Sequence, residues 1–234
     1  MFISDLIIKD KEQILLDDLF LSPENNAKIR QYVKEHIYIN ELQRYGLPVN
    51  NKILLHGSSG CGKTAVAKAI AGEVQKELLI LNLSNVVCAR MGETAQNVKM
   101  VFERAAKDKS VLFLDEFDQV AKLRNLDDKD AGEMRRLVTT IIQLIDYMPQ
   151  DCLLLCATNY KDFIDPAILR RFQIKLGFEM PARETLDKYY NKLLAGFPPK
   201  LRNIQRAYEI SFAEARDHSL TAIKSSLIRD IESQ

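Results

Sequence analysis

Apolar residues recur along this chain in two rhythms. Short runs that are apolar almost throughout lie at 52–56, 78–83, 111–115, 152–157 and 174–178. Between them, stretches at 63–75, 92–107 and 133–147 repeat their apolar positions every three or four residues. The short runs predict strands buried on both faces, and the longer stretches predict helices. Strands that alternate with helices in this way predict a parallel sheet sandwiched by helices. Met180-Pro181 ends the alternation. Helical patterns follow at 182–195, 201–208 and 212–231, with a turn at Gly196-Phe197-Pro198-Pro199 and a break expected near His218. The predicted fold class is therefore α/β: a parallel sheet with helices over residues 1–178, then a small all-helical lid over 179–234. The first 50 residues are expected to hold no separate domain, only a linker strand and a helix at 26–40. The polar run at 125–130 predicts a mobile loop.

Composition narrows the partners rather than the fold. Apolar residues make up 47% and charged residues 28% of 234 positions, ordinary values for a globular protein with a sizeable core. A net charge of +1 argues against nucleic acid or an anionic membrane as partner. No apolar run has the length of a transmembrane span, and Met1-Phe2-Ile3-Ser4-Asp5 lacks the order of a signal peptide, so a cytoplasmic location is expected. Cys61, Cys88, Cys152 and Cys156 show no C-x-x-C pairing, which indicates neither zinc nor a disulfide frame. His36, His56 and His218 are scattered, with no triad or metal pattern around them.

The chemistry concentrates where strands end. Gly57-Ser58-Ser59-Gly60-Cys61-Gly62-Lys63-Thr64 fits G-x-x-x-x-G-K-[ST], and it lies between a predicted strand and a predicted helix that continues through Ala65. Glycines let the backbone turn its N–H groups toward anionic oxygens, and the helix N-terminus adds its positive dipole end. Such a P-loop predicts that Lys63 reaches the β- and γ-phosphates of a nucleotide and that the Thr64 hydroxyl ligates Mg²⁺. Cys61 beside the helix N-terminus is either a small filler or a thiol open to redox control. At 111–116, Val-Leu-Phe-Leu-Asp-Glu is a buried strand ending in two acids. Asp115 is the candidate for the Mg²⁺ shell and Glu116 for polarising the attacking water. Thr158-Asn159 ends the next strand, either as a turn or as a polar tip for the γ-phosphate. Arg170-Arg171 is either a solvated face or a pair of arginine fingers reaching a neighbouring subunit's nucleotide.

These motifs, in this order, resemble AAA-family ATPases. The more specific likeness lies in Thr158-Asn159, Asp165-Pro166-Ala167 and Leu169-Arg170-Arg171-Phe172, which are similar to the family's second region of homology. Further likeness lies in Gly92-Glu93-Thr94 with Val101-Phe102-Glu103-Arg104-Ala105, and in the Leu-x-Asp ending at Asp146. The resemblance spans about 17–225 and implies ATP with Mg²⁺ as ligands. It implies that Glu116 is the catalytic base, that Asn159 is the sensor aligning water, and that Arg170 and Arg171 act in trans. Asp18, Leu19 and Phe20 match the stretch framing the adenine, and Ser211-Phe212-Ala213 matches the lid's contribution to it. It also implies a homo-hexamer in the ATP state that remodels a protein substrate.

One departure stands out. Arg90 and Met91 occupy the positions where unfoldases carry an aromatic and an aliphatic pore residue. An aromatic grips an extended chain through apolar contact, which an arginine does not supply. The resemblance therefore leaves two readings: a ring ATPase that remodels a protein partner, or an ATP-controlled switch gating a partner enzyme such as a protease. A nucleic-acid motor or helicase loader is a third, disfavoured by the charge.

Overall fold

A computed structural model describes residues 7–8, 10, 12–84, 94–119, 131–164 and 166–233. The Arg90-Met91 positions, Gly92-Glu93, Cys88, the 125–130 run and Asp165 lie outside the described residues. The chain divides into two compact units: Met1–Gly57 with Lys63–Gly177, and Ser58–Gly62 with Phe178–Gln234.

The first unit carries a mixed sheet. Its strands are β1 (Ile7–Ile8), β2 (Lys52–Gly57), β3 (Leu78–Asn82), β4 (Val111–Asp115), β5 (Leu153–Thr158) and β6 (Ile174–Phe178), in the spatial order β1-β3-β4-β5-β2-β6. β2 runs parallel to β5, β5 to β4 and β4 to β3, whereas β1 is antiparallel to β3 through Ile7↔Leu81 and Ile8↔Ile80. The registers Asn82↔Asp115 and Leu114↔Cys156 align the carboxyl ends of the three central strands.

Period-2 alternation gives the four inner strands, β2 to β5, two buried faces. Leu54, Leu79, Leu81, Leu112, Leu114, Leu154 and Cys156 face α4 (Thr94–Asp108) and α5 (Ala131–Asp146), whose Val98, Val101, Phe102, Leu137, Ile141 and Ile145 complete one core. α3 (Lys63–Glu73) contacts β3, β4 and β5, and buries Val66, Ala67 and Ile70. Each fully buried Leu or Ile contributes roughly 1.5–3 kcal/mol. That is why these strands tolerate almost no polar residue before their ends.

The entry helix differs from the expected 26–40. It divides into α1 (Pro23–Ile37) and α2 (Ile39–Arg44). Ser22 caps α1 by accepting the Asn25 N–H, and Pro23 stands at its first turn, so the start lies earlier than apolar spacing suggests. A short helix, α6 (Pro166–Leu169), separates β5 from β6.

In the second unit, α7 (Arg183–Ala195) and α8 (Phe212–Glu232) pack around Leu186, Tyr190, Leu194, Leu201, Ala215 and Ile223. Two expectations fail here. Residues 202–208 are not helical. Tyr190 exchanges hydrogen bonds with Ala207, and Arg206 and Tyr208 both donate to the Asp187 carboxylate, so side chains hold this segment out of a helix. α8 runs unbroken past His218, whose Nε2 is 2.7 Å from the Gln205 carbonyl, and Ser219 bonds back to Ala215 O at 2.7 Å.

Candidate nucleotide site

β2 stops at Gly57, and α3 starts at Lys63. Gly57, Gly60 and Gly62 have φ of 126°, 70° and 98°, values that side chains disfavour. Glycines at these three positions are what allow the chain to turn from strand to helix.

Residues 58–62 belong to the helical unit. There the Ser58 N–H donates to Phe178 O at 2.8 Å, and the Ala213 N–H donates to Gly60 O at 3.2 Å. A Cβ on Gly60 would lie 2.5 Å from Ser211 Oγ. Ser211 in turn caps α8 through a capping box with Glu214. The Cys61 thiol is buried, 3.5 Å from Ser59 O and 3.7 Å from Met180 Sδ. That environment fits the filler reading of Cys61 better than the redox one, because an enclosed thiol is shielded from oxidant. Ser59 and Ala213 are exposed.

In the sheet-bearing unit, Lys63 is 9% exposed, and its ammonium donates to Gly57 O at 2.8 Å and Asn159 Oδ1 at 2.7 Å. Thr64 and Ala65 are half-buried on the first turn of α3. Asp115 ends β4, and its Oδ1 accepts the Glu116 N–H at 2.8 Å. Burial raises the Asp115 carboxyl above its usual value. The Glu116 N–H opposes this, the Glu116 charge adds to it, Lys63 lowers it, and Asp118 raises it. Glu116 sits at φ 54°, and its carboxylate accepts from the Ser84 hydroxyl.

Lys63, Asp115, Glu116 and Asn159 thus meet at the carboxyl ends of β2, β4 and β5. A parallel α/β sheet places ligands at this edge.

Thr64 and Asp115 offer a hydroxyl and a carboxylate oxygen, hard donors suited to Mg²⁺. The Asp115 carboxyl, raised by burial and by the Glu116 and Asp118 charges, is one whose ionised form a dication would stabilise. Among the described residues no three His, Cys, Asp or Glu side chains group as a metal cage. Mg²⁺ held by one or two protein oxygens plus substrate phosphates needs no such cage.

The arginines separate. Arg171 makes a bidentate pair with Asp146 at the end of α5, with Nε–Oδ1 at 2.7 Å and Nη2–Oδ2 at 2.8 Å, and its Nη1 also donates to Ala167 O. The guanidinium holds the Asp146 carboxyl below its usual range. Arg170 is exposed. Arg171 therefore has an acidic partner within its own chain. Asp18 is exposed in a 3₁₀ turn, Leu16–Asp18, followed by half-buried Leu19 and Phe20.

Sequence reasoning missed Ser84, the Asp118–Thr158 pair and the Asp146 partner of Arg171. Asp146 carried a signal as the acid closing the Leu-x-Asp pattern, and Thr158 as half of the strand-end Thr158-Asn159.

The family model "ATPase family associated with various cellular activities (AAA)" matches residues 53–180, and the chain belongs to this family. An uncharacterized AAA family ATPase of Sinorhizobium fredii is 35% identical over 216 residues, covering 91% of this chain and 65% of that one. A putative 26S proteasome regulatory subunit homolog of Methanothermobacter thermautotrophicus is 26% identical, over 95% of this chain and 61% of its own. A proteasome-associated ATPase of Mycobacterium tuberculosis is 28% identical, over 84% and 36% respectively. The chain thus spans less than two thirds of the length of each of these relatives. The crystal structure of the FIGL-1 AAA domain superposes with a TM-score of 0.73 at 23% identity, over 97% of this chain and 77% of that one, which confirms the α/β fold.

Proposed function

We propose that this chain is a Mg²⁺-dependent ATP hydrolase that assembles as a ring, a homo-hexamer in the ATP state, and uses hydrolysis to remodel a protein partner. The observation that carries the reading is the meeting of Lys63, Asp115, Glu116 and Asn159 at one sheet edge. In this reading residues 1–178 bind nucleotide and 179–234 form the lid. The N–H groups of 57–62 cradle the phosphates, and Lys63 moves from Gly57 O and Asn159 to the β- and γ-phosphate oxygens. Thr64 and Asp115 would hold Mg²⁺, whose charge would offset that of the phosphates. Glu116 orients and polarises the water, and Asn159, released from Lys63, aligns it. Arg170, exposed beyond α6, is the better candidate of the two arginines to reach a neighbouring nucleotide. Asp18, Leu19 and Ala213 are assigned to the adenine by the family resemblance alone.

Among the described residues no helix is long and apolar enough to cross a membrane. A cytoplasmic location belongs to the same reading. Relatives at 26–28% identity carry names that tie them to the proteasome. Those names support a second reading, in which the ring gates a partner protease without threading substrate.

The test is Glu116→Gln. ATP binding should persist while turnover falls by about 10²-fold or more, and light scattering with Mg-ATP should read a multi-subunit mass. Undiminished turnover in this variant would sink the assigned mechanism. A one-subunit mass with ATP bound would move the balance to the gated-partner reading.

A further inference from the structure

We infer that Asp118 and Thr158 form a clamp that positions Glu116 and Asn159 for hydrolysis. The inference rests on the hydrolase reading and adds two positioning residues to it.

The turn after β4 needs external support. Glu116 adopts φ 54°, a region that residues with side chains rarely enter unless their surroundings hold them there. Beyond the β4–β5 register ending at Leu114↔Cys156, two links continue the connection. The Phe117 N–H donates to Ala157 O at 2.8 Å. The Thr158 hydroxyl donates to Asp118 Oδ1 at 3.2 Å.

Both groups of the second link are buried, Asp118 at 3% and Thr158 at 1% exposure. A carboxylate at that depth is tolerated only when hydrogen-bonded. A hydroxyl has one proton to give, and Thr158 gives it to Asp118 while a lone pair accepts the Tyr160 N–H at 3.0 Å. The hydroxyl therefore fixes the backbone on both sides of Asn159, whose Oδ1 accepts from Lys63 at 2.7 Å. The first link bears on Glu116 in the same way, through the residue that follows it.

Water attack tolerates little error in the placing of base and sensor, and a shift of about 1 Å can cost ~10²-fold in rate. The clamp joins the two loops that carry these groups. A polar pair this deeply buried would otherwise be better replaced by apolar residues.

Thr158→Val keeps the shape and removes the hydroxyl, Thr158→Ser keeps the hydroxyl, and Asp118→Asn keeps an acceptor for it. In Thr158→Val, kcat should fall about tenfold or more while ADP affinity, titrated directly, stays within about twofold. Thr158→Ser and Asp118→Asn should recover most of the rate. Amide exchange at Tyr160 should quicken in Thr158→Val and not in Thr158→Ser. Wild-type kcat in Thr158→Val, or parallel collapse of kcat, ADP affinity and unfolding midpoint, would overturn the positioning role, as would unchanged exchange at Tyr160. Absence of turnover in the wild-type chain would instead refute the hydrolase reading and the positioning role with it, and amide exchange at Tyr160 would then decide only whether the clamp holds the backbone.

Discussion

Replacing Gly60 with Ala combines two costs that can be separated. The backbone at Gly60 has φ 70°, which costs a non-glycine residue roughly 1–2 kcal/mol. The new methyl would lie 2.5 Å from Ser211 Oγ, 2.9 Å from Ser211 Cβ and 3.0 Å from Ala213 Cβ. Ser211 cannot yield freely, because its hydroxyl accepts the Glu214 N–H and its own N–H donates to Glu214 Oε2 at 2.8 Å. Displacing a cap of this kind costs about 1 kcal/mol. Gly60→Ala should therefore cost roughly 2–3 kcal/mol in urea unfolding followed by circular dichroism. Gly62→Ala is the control: its φ is 98°, but nothing lies within 4 Å of the added methyl, so only the backbone cost of about 1–2 kcal/mol applies. Ser211→Gly makes room while costing only a few tenths of a kcal/mol as a cap. Combined with Gly60→Ala, it should recover about 0.5–1 kcal/mol in a double-mutant cycle. Equal losses for Gly60→Ala and Gly62→Ala, with strict additivity in the cycle, would refute the steric argument.

Two further outcomes follow from polar groups near the sheet's two ends. His36 is buried with Nε2 2.9 Å from Asn50 O, and burial holds its imidazole below the ordinary value. The Asn50 carbonyl and Glu35 raise it, and Lys76 lowers it. The unfolded chain then binds the proton first, so stability should fall as pH drops below about 6.5, by at most ~1.4 kcal/mol per pH unit from this group. His36→Gln should flatten that slope, and an unchanged slope between pH 7.5 and 5.5 would remove His36 as its source. At the opposite end, the Ser84 hydroxyl occupies the Glu116 carboxylate. Ser84→Ala should raise basal ATP turnover, by up to about tenfold for a contact worth ~1.4 kcal/mol, and a fall in turnover would show that the contact helps rather than restrains.

The sheet was legible because its strands are buried on both faces: Leu79, Phe113 and Leu155 could sit nowhere else. The phosphate loop was legible because three glycines answer three positive φ values. Residues 202–208 misled because their apolar spacing suits a helix, whereas the deciding forces are distant: the Tyr190 hydroxyl on Ala207, and Arg183 stacked 4.4 Å from the Tyr208 ring. Ser84 carried no signal, and Thr158 was legible as a strand-end group but not as a partner of Asp118, for a related reason. A hydroxyl at a strand end is unremarkable until the fold reveals which carboxylate it meets. The Arg170-Arg171 pair reads as one motif in sequence, yet it is Arg171 that pairs with Asp146.

The Asp146 carboxylate presents Arg171 with what a phosphate would: two oxygens matched to a planar fork. Any service by Arg171 outside its own chain is therefore an exchange of anions rather than the capture of one. The gain is the difference between a singly charged carboxylate and a more highly charged phosphate, not the full strength of the new contact. Such an arrangement would discriminate: a neighbour offering weak negative charge would leave the internal pair intact, and drawing the side chain across would take an anion of higher charge density. Arg170, exposed and outside that pair, would respond to either.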